Sequence, residues 1–510
     1  MIASISSFAL NGLDGVPVTV EADVNKGLPS YELVGLPDAA VKESRERVRS
    51  AIKNSGYSFP VHKVTVNLAP AELKKEGTAF DLAVALCLLK ASEQLVTRDT
   101  DGYVFLGELG LNGDLRPVNG ILPMLISARD KGYVRFVVPD GNALEVQHIV
   151  GVEVFAAKNL RETVEHMTGE KPLVPVPVRS FAAARHEETE DPYDLKYVRG
   201  QAMARRALEV AVSGGHNLLL VGPPGTGKTM LARAIPSVMP DLTFDEALEI
   251  TKIHSVAGDV GTEGILTRRP FRTPHHTATT ASMCGGGSHG VRPGEISLAH
   301  GGVLFLDELP EYKRATLEAL RQPLEDGVIT VSRATGSVTY PASFMLCAGM
   351  NPCPCGNFGS KDKPCTCTPA QIRRYRGRIS GPLLDRIDLQ VEVDGVGYDD
   401  LTSDREEESS AVVRERVNHA RKIQRERFRG TSVRTNSEMR EAEIRKFCRL
   451  SAECDGILRA AFEKFSLSAR ARARIIKVAR TIADLAYSEE IAPAHIYEAI
   501  SYRMYDKNGS

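Results

Sequence analysis

The feature that most constrains the fold is a glycine-rich loop placed between an apolar strand and a helix. The loop reads G-P-P-G-T-G-K-T and ends at Thr229. It follows a short apolar run, 217–221, and precedes a run, 230–235, that predicts the start of a helix. This order is typical of α/β folds in which the loop lies at the end of a sheet strand and opens a helix. The sequence therefore predicts a parallel α/β unit.

The loop also predicts a phosphate-binding site. Its residues are Gly222, Pro223, Pro224, Gly225, Thr226, Gly227, Lys228 and Thr229. In such loops the backbone N–H groups turn toward phosphate oxygens, and the lysine reaches the same oxygens. We therefore predict that the loop binds ATP, with Lys228 on the phosphates and the Thr229 hydroxyl on Mg²⁺.

A second motif completes the predicted site. The run V-L-F-L-D-E, 303–308, reads as a buried strand that ends in two carboxylates. Such a pair suits a Mg²⁺ shell, here Asp307, and a group that polarises the attacking water, here Glu308. Because both motifs are present with suitable flanks, a chance match is a poor explanation, and we predict an ATP hydrolase.

Length and charge limit the remaining possibilities. A chain of 510 residues is too long for one core. The net charge is -1, so any nucleic acid must be bound by local patches rather than by the overall field. The N-terminus has no basic, apolar leader pattern and no run of 18 apolar residues occurs. We expect a cytoplasmic protein without a membrane partner.

The expected fold class is α/β multidomain. We predict an α+β domain over 1–170, a proline-punctuated linker over 171–195 whose end is charged and mobile, an ATP-binding α/β core over 196–398, and a helical lid over 399–510.

Three longer motifs connect the chain to a known family. They are R-P-F-R-T-P-H-H at 269–276, R-P-G-E-I-S-L-A-H-G-G-V-L-F-L-D-E at 292–308, and N-P-C-P-C-G at 351–356. On these motifs the chain resembles the magnesium-chelatase-like AAA+ ATPases, in their competence-associated ComM and YifB branch, over nearly its full length.

The resemblance implies roles for three further residues. Asn351 resembles the polar sensor that orients water, although a turn-forming Asn before proline is also reasonable. Arg386 resembles an arginine finger that enters a neighbouring subunit's site, which implies a homo-oligomeric ring, in this family a hexamer. Arg470 resembles a second sensor at the start of a lid helix.

Two basic residues near Arg470 have alternative interpretations. Arg474 and Lys477 share its helical face at i+4 and i+7. They could meet phosphates or DNA, or simply form a solvated basic face.

Two inserted segments are candidate pore loops by resemblance. One is the glycine-rich run 285–290, and the other is a predicted hairpin over 327–340. Plain surface loops are the alternative. His275 and His276 are adjacent, and neighbouring side chains of a strand point to opposite faces, so we do not expect them to share one ligand.

Four cysteines form a possible metal site in a loop over 353–367. Cys353, Cys355, Cys365 and Cys367 are spaced C-x-C-x₉-C-x-C. Four thiolates can enclose one Zn²⁺, and a loop with few apolar residues has few other ways to fix its shape. Because the spacing differs from the commoner C-x-x-C pairs, reduced thiols in a flexible loop are the alternative.

The N-terminal domain resembles a Lon-type protease domain through E-G-T-A-F-D-L at 76–82 and R-P-V-N-G-I at 116–121. Such a protease needs a serine and a lysine. In the register of these motifs the two positions hold Ala79 and Leu122, so we expect no proteolysis.

The resemblance therefore implies a ring-shaped helicase or branch-migration motor on branched or single-stranded DNA, working with recombination proteins in natural transformation. A chelatase-like or protein-remodelling ATPase that acts on a protein partner is the alternative.

Overall fold

Two large sheets organise the chain, one in its N-terminal part and one around the glycine-rich loop. The computed structural model describes residues 1–97, 100–184, 191–261, 264–287, 291–333, 336–360, 363–395, 397, 407–465 and 467–503. Within these residues the chain is a mixed α/β protein with several domains, and the second sheet is wholly parallel.

The strands are named in chain order. They are β1 (Ile2–Asn11), β2 (Asp14–Asn25), β3 (Ser30–Val34), β4 (Lys63–Ala69), β5 (Tyr103–Phe105), β6 (Glu108–Leu109), β7 (Leu115–Arg116), β8 (Arg135–Pro139), β9 (Glu153–Ala157), β10 (Leu218–Val221), β11 (Phe271–Arg272), β12 (Gly285–Gly286), β13 (Arg292–Pro293), β14 (Val303–Leu306), β15 (Val328–Arg333), β16 (Gly336–Pro341), β17 (Met345–Met350) and β18 (Leu389–Glu392).

The α-helices are given by their bounds. They are Ala39–Asn54, Asp81–Ala91, Ile121–Asp130, Ala143–Val146, Leu160–Thr168, Phe181–Ala184, Ala202–Gly214, Lys228–Val238, Phe244–Ala257, Thr280–Cys284, Glu295–Leu298, Arg314–Glu318, Arg321–Asp326, Pro369–Arg376, Gly381–Leu384, Ser410–Arg427, Glu441–Phe447, Ala452–Phe465, Ala469–Leu485 and Pro493–Ser501.

The N-terminal sheet is mixed, with the strand order β3-β4-β2-β1-β5-β8-β9. The β1–β2 and β2–β4 pairs are antiparallel, and the other pairs are parallel. Asp38 caps the helix Ala39–Asn54 by accepting a hydrogen bond from Val41 N–H. Fully buried side chains of the helix Asp81–Ala91 and of the central strands form the core on one face.

The parallel sheet has the order β11-β14-β17-β10-β18. The side chains of β10 alternate between its two faces, because Leu218 and Leu220 join one apolar cluster while Leu219 and Val221 join another. Strand β17 lies between β14 and β10, so the carboxyl ends of these three strands meet at one edge. That edge carries the candidate site.

The predicted linker follows the N-terminal domain closely in its first half. Val176 N–H donates to Val154 O at 2.7 Å, and Arg179 N–H donates to Gln147 O at 2.9 Å. Residues 185–190 of its predicted mobile end lie outside the described residues. Among the helices that the structure describes, none is long and apolar enough to cross a membrane.

Candidate nucleotide-binding site

The glycine-rich loop connects β10 to the helix that begins at Lys228. Gly225 and Gly227 have φ values of +80° and +86°, and a Cβ added at either one would meet no atom within 4 Å. The loop backbone is therefore open on this side, and the helix N-terminus behind it favours an anion. The residues present fit a bound nucleotide phosphate.

Lys228 connects the loop to the end of β17. Its Nζ donates to Gly222 O and Pro223 O, both at 2.8 Å, and to Asn351 Oδ1 at 3.3 Å. Burial lowers the pKa of Lys228, while the charges of Asp307 and Glu308 oppose that shift. The ammonium thus lies at the edge where the three strands meet, beside the predicted sensor.

Thr229 and Asp307 bring the two predicted motifs together. Thr229 Oγ1 donates to Asp307 Oδ2 at 2.8 Å. The other carboxylate oxygen of Asp307 accepts from Glu308 N–H at 2.9 Å. A hydroxyl and a carboxylate at this separation are the oxygen ligands that Mg²⁺ prefers.

Glu308 has an unusual backbone conformation. Its φ is +53°, in the left-handed region that few residues other than glycine adopt. Such residues occur often at functional sites, where the surrounding structure compensates for their cost. The Oε2 atom of Glu308 lies 3.2 Å from Nδ1 of His276.

The expectation that His275 and His276 point apart is wrong. Strand β11 ends at Arg272, so the two histidines lie in the turn that follows it. Their ring centroids are 4.1 Å apart with an interplanar angle of 33°. Sequence reasoning missed His276 as a partner of Glu308, because the alternation of a strand does not extend into a turn.

Arg386 follows the short helix Gly381–Leu384, and no described hydrogen bond or ion pair connects its side chain to the glycine-rich loop of its own chain. Its guanidinium forms an ion pair with Glu325 and donates to Pro382 O at 2.8 Å. Its backbone carbonyl accepts from Asn217 Nδ2 at 2.8 Å.

The three basic residues of the helix Ala469–Leu485 have different environments. Arg470 is exposed on the first turn of Ala469–Leu485, and no described hydrogen bond or ion pair connects it to the loop. Arg474 Nε lies 3.3 Å from Asp388 Oδ1, and Lys477 Nζ donates to Ser437 O at 2.8 Å. Burial lowers the pKa of both. The interpretation of Arg474 and Lys477 as a solvated basic face is therefore wrong, because both side chains are largely buried and bind groups inside the chain. Their contact with phosphates or DNA stays a prediction.

A cavity beside the loop was not predicted. Its volume is about 270 Å³, and it is lined by Gly200, Gln201, Ala202, Met203, Glu392, Asp394 and Gly395. Gly222 packs so closely on Val393 O that an added Cβ would lie 2.1 Å from it, which places the cavity next to the loop. The lining residues come from two segments far apart in the sequence, 200–203 and 392–395, so no local motif indicates the cavity.

The four predicted cysteines lie together. Their Sγ atoms all lie within 4.8 Å of one another. Three of the pairs are 3.4, 3.6 and 3.7 Å apart. Sulfurs around a tetrahedral Zn²⁺ stand about 3.8 Å apart, because each Zn–S bond is about 2.3 Å long. The arrangement is compatible with one zinc ion.

Backbone N–H groups donate to the cysteine sulfurs. Phe358 N–H donates to Cys353 Sγ at 3.3 Å, and Cys355 N–H donates to Cys367 Sγ at 3.4 Å. Hydrogen bonds from the backbone at Asn357 and Thr366 lower the pKa of Cys355. Donors of this kind are the outer contacts that orient metal ligands.

The cysteine loop also touches the glycine-rich loop. A Cβ added at Gly356 would lie 2.5 Å from Cδ of Pro224. Cys353 is two residues past Asn351, so the same short segment carries the predicted sensor and the first thiol. The shape of this loop therefore bears directly on the site.

The candidate pore loops meet each other at their bases. Strands β12 and β13 pair in the first segment, and β15 and β16 pair in the predicted hairpin. Tyr340 OH donates to Val291 O at 2.6 Å and connects the two. Parts of both predictions, residues 288–290 and 334–335, lie outside the described residues.

In this parallel sheet the glycine-rich loop follows β10, the Asp-Glu pair follows β14, and a polar residue, Asn351, follows β17, which lies between these two strands. This arrangement defines a P-loop nucleotide-binding fold. Three family descriptions match the chain: "Magnesium chelatase, subunit ChlI" over 194–401, "Subunit ChlI of Mg-chelatase" over 20–142, and "Magnesium chelatase, subunit ChlI C-terminal" over 407–503.

Full-length relatives agree with these matches. YifB of Escherichia coli K12 is 44% identical over 99% of this chain and 98% of its own length. Competence protein ComM of Haemophilus influenzae is 41% identical over 98% of this chain and 97% of its own. Lon protease 2 of Bacillus subtilis is similar to only part of it, at 23% identity over 28% of this chain and 26% of its own. The chain belongs to the ComM/YifB family of magnesium-chelatase-like AAA+ ATPases.

Proposed function

We propose that this protein is an ATP-driven ring motor that moves branched DNA. The observation that carries the ATPase part is the hydrogen bond between Thr229 and Asp307, which joins two motifs at the ends of strands separated by only one other strand. The cavity beside Gly222 adds room for a base next to a loop suited to phosphates.

The proposed chemistry assigns one task to each residue. Bound Mg²⁺ would neutralise charge on the phosphates. Thr229 and Asp307 would hold that ion, and Lys228 would leave the carbonyls of its own loop to bind phosphate oxygens. Glu308 would orient and deprotonate the attacking water, with Asn351 beside it.

The position of Arg386 supports a ring. Its guanidinium pairs with the exposed carboxylate of Glu325 and has no described hydrogen bond or ion pair with its own loop, so engaging a neighbouring site would require this pair to open. An arginine supplied in trans meets the charge that develops on the transferred phosphoryl group. We propose a homo-oligomer, with six subunits by analogy with the family, and a second sensing role for exposed Arg470.

The proposal of a DNA substrate depends on the relatives and on the loops. One full-length relative is described as a competence protein. The two β-hairpin segments share a contact at Tyr340, and paired loops of this kind suit a central pore. We propose further that the N-terminal domain is a Lon-like scaffold that lost its protease dyad at Ala79 and Leu122, and that the four cysteines hold zinc.

The family descriptions favour one other candidate. All three name a magnesium chelatase subunit, so a motor that remodels a protein partner is the second proposal. The two proposals share the ATP site. They differ in whether the candidate pore loops bind DNA or a protein partner.

Strand exchange on a labelled three- or four-stranded DNA junction separates them. We expect ATP-dependent junction movement by the wild type and none by Lys228→Ala, with Glu308→Gln binding ATP without turnover. Robust ATPase that neither moves junctions nor responds to DNA would reject the DNA motor and favour a protein partner.

A further inference from the structure

The positions that replace the protease dyad lie beneath a helix of the ATP-binding unit. Leu122 is 1% exposed and belongs to an apolar cluster of the N-terminal domain. Ala79 packs against that cluster from the same domain, and Leu248 of the helix Phe244–Ala257 packs against it from the ATP-binding unit. A surface that a protease would keep open to substrate is therefore covered here.

Hydrogen bonds fix the position of this helix. Gly120 N–H donates to Ser255 O at 2.9 Å. The Ser255 hydroxyl donates to Glu145 Oε1, the same oxygen that accepts from Leu122 N–H at 3.3 Å. Asn142 donates to the other oxygen of Glu145 at 3.2 Å. Each oxygen of this buried carboxylate thus has a donor from its own domain, and the Ser255 hydroxyl adds a donor that is present only when the helix is in place.

The chain after the helix approaches the domain without room for side chains. A Cβ added at Gly258 would lie 2.7 Å from Nδ2 of Asn119, and one at Gly264 would lie 2.2 Å from Leu144 O. Both glycines have positive φ values. Close backbone approach and paired polar groups distinguish this contact from a loose domain interface.

A second contact reaches the hairpin of β15 and β16. In the turn between β1 and β2, a Cβ added at Gly12 would lie 2.8 Å from Cγ1 of Val338. Leu13 of the same turn packs with the apolar cluster of the hairpin, which contains Tyr340. The N-terminal domain therefore contacts the helix that leads toward one loop segment and the hairpin that forms the other.

We propose that the surface formed by Ala79, Gly120, Leu122 and Glu145 is the docking site of the helix Phe244–Ala257 in the same chain. Through it and the β1–β2 turn, the N-terminal domain fixes the bases of the two candidate pore loops, at β13, which packs against the helix, and at β15 and β16. The former catalytic surface has become a brace for the loops, whatever substrate those loops hold.

Hydrogen exchange of the full-length protein tests this with Leu248→Glu and its matched control Leu248→Met. We expect Leu248→Glu to speed amide exchange in Phe244–Ala257 by about tenfold or more, because a carboxylate at this partly buried position would face an apolar cluster and open the contact. Leu248→Met should stay within about twofold of the wild type. Strands β10 and β17 should keep their protection in both variants.

Unchanged exchange of Phe244–Ala257 in Leu248→Glu would overturn the proposal. If that variant also loses protection in β10 and β17, Leu13→Glu replaces it, since Leu13 belongs to the other domain. Faster exchange in β15 and β16 of Leu13→Glu would support the brace, and unchanged exchange there would overturn it. Both hydrogen-exchange measurements are made without ATP or DNA, so their outcome is independent of the proposed motor activity.

Discussion

The imidazole of His276 lies 3.2 Å from the carboxylate of Glu308, through its Nδ1 atom. The histidine comes from the turn after β11, and the glutamate follows β14, the neighbouring strand. The side chain proposed to activate water is thus held by a residue outside both nucleotide motifs.

We expect His276→Ala to lower kcat on the order of tenfold, because Glu308 loses a partner that orients it. The affinity for ATP should change little, since His276 has no described contact with the glycine-rich loop. His276→Asn, which keeps a donor, should recover part of the rate. Steady-state ATPase and nucleotide-binding titrations measure both effects, and equal loss of ATP affinity would contradict this role.

Arg386→Ala should lower kcat by about 10³-fold or more if the guanidinium meets transition-state charge in a neighbouring subunit. Glu325→Ala is the matched control, because it removes the ion-pair partner and leaves the arginine in place. Glu325 is 63% exposed, so its truncation leaves no buried carboxylate behind, and this control should fold and keep most of its turnover.

Mixing Arg386→Ala with Lys228→Ala tests the trans arrangement directly. Each subunit then supplies what its neighbour lacks, and some turnover should return. If the mixture is as inactive as its parts, the arginine acts within one chain or is structural.

We predict that ATP binding depends on a zinc ion held by the four-cysteine loop. Purified protein should carry about one zinc per chain, as elemental analysis would show. Cys365→Ser should lose the metal and weaken ATP binding, because Gly356 of this loop packs on Pro224. Cys284→Ser, outside the cluster, is the control. Metal-free protein with full ATP affinity and turnover would argue against this coupling.

Asp388 should be important for stability. Its carboxylate lies 3.2 Å from His216 Nδ1 and 3.3 Å from Arg474 Nε, in a buried position. Asp388→Asn should cost about 3–5 kcal/mol, because it leaves buried Arg474 without its counter-charge. Denaturant unfolding at neutral pH measures this loss.

The pH dependence of that contribution has a definite sign. Burial raises the pKa of Asp388, but the hydrogen bond from His216 and the charge of Arg474 outweigh burial and lower it. Because the pKa in the folded protein lies below the ordinary value of about 3.9, the charged carboxylate stabilises the fold at pH values above about 3.9. This stabilisation is lost as the pH falls from about 3.9 through the lowered pKa. The difference between Asp388→Asn and the wild type should therefore shrink in acid.

Local motifs explain why several of the predicted site residues lie together in the structure. The glycine-rich loop predicted the roles of Lys228 and Thr229, and the end of an apolar strand predicted that of Asp307. The structure brings these residues together because the carboxyl ends of parallel strands meet at one edge of the sheet. The four cysteines, close in sequence, also lie close in space.

Long-range pairing explains what it missed. The periodicity that put Arg474 on a basic face contains no information about Asp388, its partner from another segment. Likewise, nothing local in the sequence shows that Ser255 meets Glu145. Burial of charged groups depends on such partners, which a single sequence does not identify.

The helices after residue 407 share one apolar cluster with the parallel sheet, in which Leu220, Val413 and Ile476 are all buried. Thr481 of the helix Ala469–Leu485 also reaches the sheet side, where its Oγ1 lies 2.8 Å from Nε2 of fully buried His216. Two parts that share a core unfold together, so a chain cut near residue 400 should not yield an independently folded sheet domain. Any nucleotide-driven movement of these helices should then be a small shear between packed side chains rather than the swing of a free hinge.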